Sequence, residues 1–141
     1  MNQVEAKWAM GAPYIKSALR IVAAIMFTQA GTVKWFGWPM AMPPDQPPIE
    51  FFTQVGIGGA LEVVGGLLLL LGLFTRPVAF VLSGMMAVTY FQFHFPSGFW
   101  PMLNHGTESV LYCFIWLYFS AAGAGPWSID ALRSHAAATS N

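Results

Sequence analysis

The run Leu67-Leu68-Leu69-Leu70-Leu71 lies inside a stretch from about Val55 to Phe74 in which Glu62 is the only charged residue. A helix that crosses a bilayer needs roughly 20 mostly apolar residues, and this stretch supplies them. Three further segments have the same character: about Ser17 to Trp38, Pro77 to Phe95, and Thr107 to Ala122, the last extendable through small residues to Gly125. Only 9% of the 141 residues are charged and 56% are hydrophobic, whereas soluble domains carry about 25% charged residues. A soluble bundle would need polar outer helix faces that this chain lacks. The expected fold is therefore all-α, an integral membrane four-helix bundle bound to the lipid bilayer.

The chain divides into a short N-terminal segment (residues 1–16), the four-helix region (17–126) and a C-terminal tail (127–141). The tail after Arg133, from Ser134 to Asn141, reads as disordered. The first apolar segment is followed by Lys34-Trp35-Phe36-Gly37-Trp38 rather than a small-residue cleavage site, so it reads as a retained helix. Lys7, Lys16, Arg20, Arg76 and Arg133 fall on one side of the spans, and Lys34 alone among basic residues falls on the other, with Asp45 and Glu50. The positive-inside bias then places both termini and the Thr75-Arg76-Pro77 connection in the cytoplasm. Pro43-Pro44 and Pro47-Pro48 make the Pro39–Gln54 loop extended. Aromatic residues such as Trp35, Trp38, Phe51, Phe99 and Trp100 crowd the outer boundary, and Tyr14 and Trp127 mark the inner one.

Several function classes are excluded. Formal net charge is zero, which gives no footprint for nucleic acid, and the single cysteine, Cys113, rules out an internal disulfide or a C-x-x-C motif. The methionines form no metal-binding stripe, and the histidine and carboxylate spacing is not that of a metal or haem site, so neither is expected. No sequence for covalent cofactor attachment is present.

Ionisable groups inside membrane spans are costly and usually functional. Glu62 lies about seven residues into the second span, roughly 10 Å below its outer end. Gly58, Gly59, Gly65 and Gly66, three and four residues away, share its face. Glycine lets another helix approach, so this face points into the protein. The topology also brings Lys34, Gln92, His94, His105 and Glu108 to the outer layer, from three different helices. Each has a plainer reading. Glu108 suits a helix N-terminus, Lys34 can snorkel to the interface, and His105 sits in a loop where it would be solvated. His94 can serve as an interfacial residue, and Glu62 and Lys34 can form a structural ion pair.

Taken together, the order of several motifs resembles the DoxX family of small bacterial inner-membrane proteins. These are Gly31-Thr32-Val33-Lys34; Glu62 followed by Gly65 through Pro77; His94; Gly106-Thr107-Glu108; and Gly123 through Asp130. The likeness spans roughly Ala18 to Asp130. Gly125-Pro126-Trp127 departs from the family's usual Gly-Arg-containing ending and removes one basic residue at the inner boundary. The resemblance implies a multi-pass inner-membrane protein linked to quinone-dependent oxidation of sulfur compounds such as thiosulfate, or to complexes that handle oxidative stress.

On this reading Glu62, His94 and Glu108 exchange protons. Lys34, Gln92 and His105 bind the substrate or quinone, Trp35 and Phe91 wall the slot, and Lys34 stabilises negative charge. The chain has no flavin, iron–sulfur or haem motif of its own, so electrons must come from substrate or from a partner subunit. A partner subunit or homo-oligomer is accordingly expected. A second class is a non-catalytic anchor or scaffold in which the polar layer fixes helix register. A third is transport of a small solute or proton, for which four spans are few. A redox site requires a cavity beside Glu62 that can hold a ring; a scaffold requires none.

Overall fold

The structure, a computed structural model, describes residues 2–44 and 48–139. Five α-helices occupy most of that chain: α1 (Gln3–Phe36), α2 (Gln54–Leu71), α3 (Thr75–Thr89), α4 (Thr107–Ala122) and α5 (Ile129–Thr139). α3 continues through a π-turn, Tyr90–His94, into a 3₁₀ turn, Phe95–Ser97. No strand occurs among the described residues. Three helices are long and apolar enough to cross a membrane: Gln3–Phe36, Gln54–Leu71 and the continuous Thr75–Ser97. α4, with 16 residues, is shorter than these, and its bounds coincide with the expected fourth segment.

Local signals account for the helix ends. Asn2 and Glu5 form a reciprocal capping box that starts α1 well before the apolar segment begins. The N-terminal segment is therefore helical and continuous with the first span. Thr53 caps α2 by accepting the N–H of Gly56. Gly37 and Gly72 close α1 and α2 in the left-handed conformation that glycine adopts at little cost.

The tail departs from expectation. Residues Ser134–Thr139 belong to α5 rather than to a disordered end. Ser128 Oγ accepts the N–H of Ala131 at 3.1 Å and so caps the helix, and Ala136-Ala137-Ala138 has the highest helix propensity available. Asp45 and Pro47 of the proline-rich loop, and Ser140 and Asn141 of the tail, lie outside the described residues.

One apolar core is drawn from four helices: Ala23, Ala24 and Phe27 of α1, Leu69 of α2, Ala79, Leu82 and Met86 of α3, and Trp116 and Phe119 of α4. Phe27 meets Trp116 edge-on at 5.3 Å, a favourable aromatic arrangement. α1 and α2 approach closely along small residues. A methyl group on Gly31 would come within 2.7 Å of the Gly59 carbonyl oxygen, and one on Gly66 would overlap Thr28. α3 and α4 are joined where Ser83 Oγ donates to the Cys113 carbonyl at 2.8 Å.

Away from Lys34, at the other end of the core, polar side chains tie the helix ends together. Arg20 is fully buried. Its guanidinium donates to the carbonyls of Leu69 and Leu70 at the end of α2, and to those of Ala124 and Trp127 beyond α4. Arg76 donates to Ser120 and Ala121, and Lys16 to Ala122, which serves the unpaired carbonyls at the end of α4. Asp130 accepts the N–H groups of Phe74 and Thr75 and caps α3 from outside the helix. Tyr14 and Trp127, the pair expected at one boundary, lie 5.8 Å apart.

Candidate functional site

Lys34 stands in the last turn of α1, where a cation meets the negative end of the helix dipole. Gly59, facing it on α2, leaves room for its stem and for the Trp35 indole. A methyl group there would lie 3.3 Å from Lys34 Cδ and 3.0 Å from Trp35 Nε1. Lys34 can thus reach one turn further along α2 to Glu62. Its ammonium lies 2.6 Å from both carboxylate oxygens. The Glu62 side chain is 9% exposed and that of Lys34 29%, so the carboxylate is the buried member and the ammonium faces outward. The glycine pattern around Glu62 had pointed to this burial.

Beside the pair opens a cavity of about 520 Å³ between α2 and α3. Its walls are largely apolar, with Ile57 and Leu61 on α2, Met85 and Val88 on α3, and Phe93 in the π-turn that follows α3. Its polar groups are Lys34, Glu62, Gln54, Thr89 and His94. His94 ends the π-turn, and its Nδ1 lies 3.1 Å from the Asn104 carbonyl. A carbonyl can only accept, so in the neutral ring Nδ1 carries the proton and Nε2 holds the lone pair. Asn104 is itself buried; it accepts the N–H of Gly106 and donates to the Gly98 carbonyl, which holds the loop behind His94 in place.

The remaining sequence candidates are dispersed. Gln92 is bonded to Gln54 across the α2–α3 gap. Trp35 packs beside the cavity against Gly59 and Phe51 and does not line it. Phe91 lines a separate apolar cavity of about 420 Å³ with Tyr90, Phe95, Phe99 and Trp100. His105 is exposed in a positive-φ loop position, and Glu108 is exposed in the first turn of α4; neither lines the cavity. The structure therefore brings Lys34, Glu62 and His94 together and leaves Glu108 and His105 outside. Among the described residues, no three His, Cys, Asp or Glu side chains are grouped so as to hold a metal ion.

A cavity of similar size at the opposite end is lined by Thr75, Arg76, Ser128 and Asp130. Three of its polar side chains are engaged as helix caps: Asp130 on α3, Ser128 on α5 and Arg76 on α4. Sequence reasoning did not single out Arg20, Asp130, Asn104 or Gln54. For Arg20 the available signal is its place three residues into an apolar span, where the positive-inside bias accounts for the charge without calling for a partner.

A multi-pass helical chain with a buried carboxylate–ammonium pair beside an apolar cleft defines a small integral membrane protein. The DoxX family model matches residues 15–95, and the chain belongs to that family. An uncharacterized protein of Haemophilus influenzae (strain ATCC 51907 / DSM 11121 / KW20 / Rd) is 40% identical to it over 121 residues, covering 84% of this chain and 90% of the relative. No solved structure matches.

Proposed function

We propose that the chain is a four-span protein of a bacterial inner membrane with both termini cytoplasmic, and that the α2–α3 cavity binds a quinone for a redox complex. The observation that carries this reading is the cavity beside Glu62. Its volume of about 520 Å³ falls within the roughly 300–1,000 Å³ of small-molecule sites. Apolar walls with a few convergent polar groups fit a ring with hydrogen-bonding oxygens. A quinone held there would supply two-electron, two-proton chemistry.

This chain's residues would do the rest. Lys34 would donate to a ring oxygen or hold an anionic sulfur compound such as thiosulfate arriving from the outer face. Glu62 would hold or accept a proton at its carboxylate, and His94 would accept one at Nε2. The exposed side chains of Val55, Ile57, Val88 and Phe93 at the cavity suit entry from the bilayer. Electrons would come from that substrate or from a partner subunit, since the sequence carries no flavin, iron–sulfur or haem motif.

The test is a titration of purified protein in nanodiscs with a short-tailed quinone, comparing wild type with Glu62→Gln. Saturable binding that weakens in the variant at unchanged helicity supports the site. A well-folded wild type that binds none removes the redox reading. A membrane anchor then becomes the better account, favoured by the Lys34–Glu62 pair and the close α1–α2 seam as devices that fix helix register. Under that account Glu62→Gln impairs assembly with the partner subunit.

A further inference from the structure

The glycines of α2 are not alike. A methyl group added at Gly56, Gly59, Gly65 or Gly66 meets a neighbour at 3.0 Å or less, so at these positions glycine serves packing. At Gly58 an added Cβ meets nothing within 4 Å, yet Gly58 lines the cavity. Gly11 and Gly84 are equally open but line none of the three cavities described above. Glycine inside a helix costs about 0.5–1 kcal/mol relative to alanine, and at Gly58 no close contact offsets that. What the missing side chain provides is open space above the backbone.

Position along the helix gives that space its shape. Gln54, Gly58 and Glu62 are spaced four residues apart, so they form one column on the face of α2. The column spans roughly 12 Å. At one end stands the Glu62 carboxylate with Lys34, and at the other the Gln54 amide, already bonded to Gln92 in the π-turn that follows α3. Between them the floor is bare backbone, and Met85 and Val88 of α3 also line the space. A polar–bare–polar column beside apolar walls matches a flat molecule with hydrogen-bonding atoms on opposite edges.

We infer that Gly58 is the floor of a planar-ring subsite and sets the ring size admitted, with Gln54 orienting the edge opposite Lys34–Glu62. This rests on the quinone-site reading above and adds to it the specificity determinant and the pose. A ring lies with its face on the Gly58 backbone; Gln54 offers a donor and an acceptor to its far edge. A methyl group at position 58 would enter the ring's place while meeting no neighbouring atom within 4 Å.

The experiment titrates wild type, Gly58→Ala, Gly58→Leu and Glu62→Gln in nanodiscs with a short-tailed benzoquinone and a short-tailed naphthoquinone. Helicity and thermal unfolding are measured on each sample. Gly58→Ala is expected to unfold at the same or a higher temperature, and to weaken the two-ring probe roughly tenfold more than the one-ring probe. Gly58→Leu is expected to abolish saturable binding of both. If folded Gly58 variants bind both probes as wild type does while Glu62→Gln binds weakly, the Gly58 inference is overturned and the quinone site stands. If wild type binds neither probe, the site reading fails and this inference with it. Should Gly58→Leu not fold, the alanine variant's ring-size discrimination decides: its appearance supports the subsite and its absence overturns it.

Discussion

The carboxylate of Asp130 accepts the backbone N–H of Thr75 at 2.8 Å across 55 residues of chain, so the first turn of α3 is capped by the segment that follows α4. Burial alone would raise the Asp130 pKa, but the backbone N–H groups of Thr75 and Phe74 and the charge of Arg133 bring it below the ordinary aspartate value. A carboxyl lowered in this way contributes stability above its unfolded pKa and loses it as pH falls through the folded one. Thermal unfolding in detergent should therefore drop on acidification below about pH 4, and Asp130→Asn should flatten that part of the profile. At neutral pH, Asp130→Ala should cost about 0.5–2 kcal/mol, the usual value of a helix cap.

Arg20 is a larger hazard. Its guanidinium serves four carbonyls from two separate parts of the chain, and a planar fork of donors is what such a set requires. Arg20→Met should destabilise by roughly 3 kcal/mol or more, since buried carbonyls are left unpaired. Arg20→Lys should restore little, because a single ammonium cannot reach all four. Chemical or thermal unfolding of reconstituted protein measures both.

The α1–α2 seam makes a paired prediction. Gly31→Val places atoms against the Gly59 carbonyl and Val63 and should cost roughly 1–3 kcal/mol by overpacking. It should also loosen the Lys34–Glu62 pair. Gly84→Ala, where added atoms meet nothing, should be neutral or stabilising by about 0.5–1 kcal/mol.

Lys34 and Glu62 should behave as a coupled unit. Lys34→Met alone leaves a buried carboxylate without its partner, and Glu62→Leu alone leaves an ammonium facing an apolar wall. The double variant should be less destabilised than the sum of the two singles, with a coupling of about 1–3 kcal/mol. A double-mutant cycle in unfolding free energy checks this, and additive losses would show the two to be independent.

Glu108 is exposed and does not line the cavity. Glu108→Gln should leave quinone affinity unchanged and shift stability by no more than about 0.5 kcal/mol. Weakened binding in this variant would return Glu108 to the site.

What could be read from sequence was whatever the length of apolar runs and the positions of small residues encode. The apolar segments fell on helices, α4 with the same bounds, and the glycines around Glu62 located a buried carboxylate. The pairing with Lys34 followed from two helices running in opposite directions. Rotation about the α3 axis could not be read. The π-turn from Tyr90 to His94 inserts one residue into a helix that turns by about 100° per residue, and Phe93 and His94 line one cavity while Tyr90 and Phe91 line the other. Depth was legible and azimuth was not, which is why Phe91 and Glu108 were grouped with Glu62. Arg20, Arg76 and Lys16 were legible only as charges. Their use as helix caps depends on where distant carbonyls come to lie, and no local pattern records that.

Arg20 also carries a consequence for biosynthesis. Its partner Trp127 follows it by 107 residues, and at ribosomal rates of about 5–20 residues per second that separation is roughly 5–20 s of translation. For most of that interval, once the exit tunnel has released it, the arginine is outside the ribosome while one of its carbonyls has yet to be made. It must meanwhile be held by water, lipid phosphate or the insertion machinery. The Arg20 site closes only when the segment after α4 returns to the first helix, so a ribosome stalled after α4 would present quality control with an unsheltered cation at the membrane.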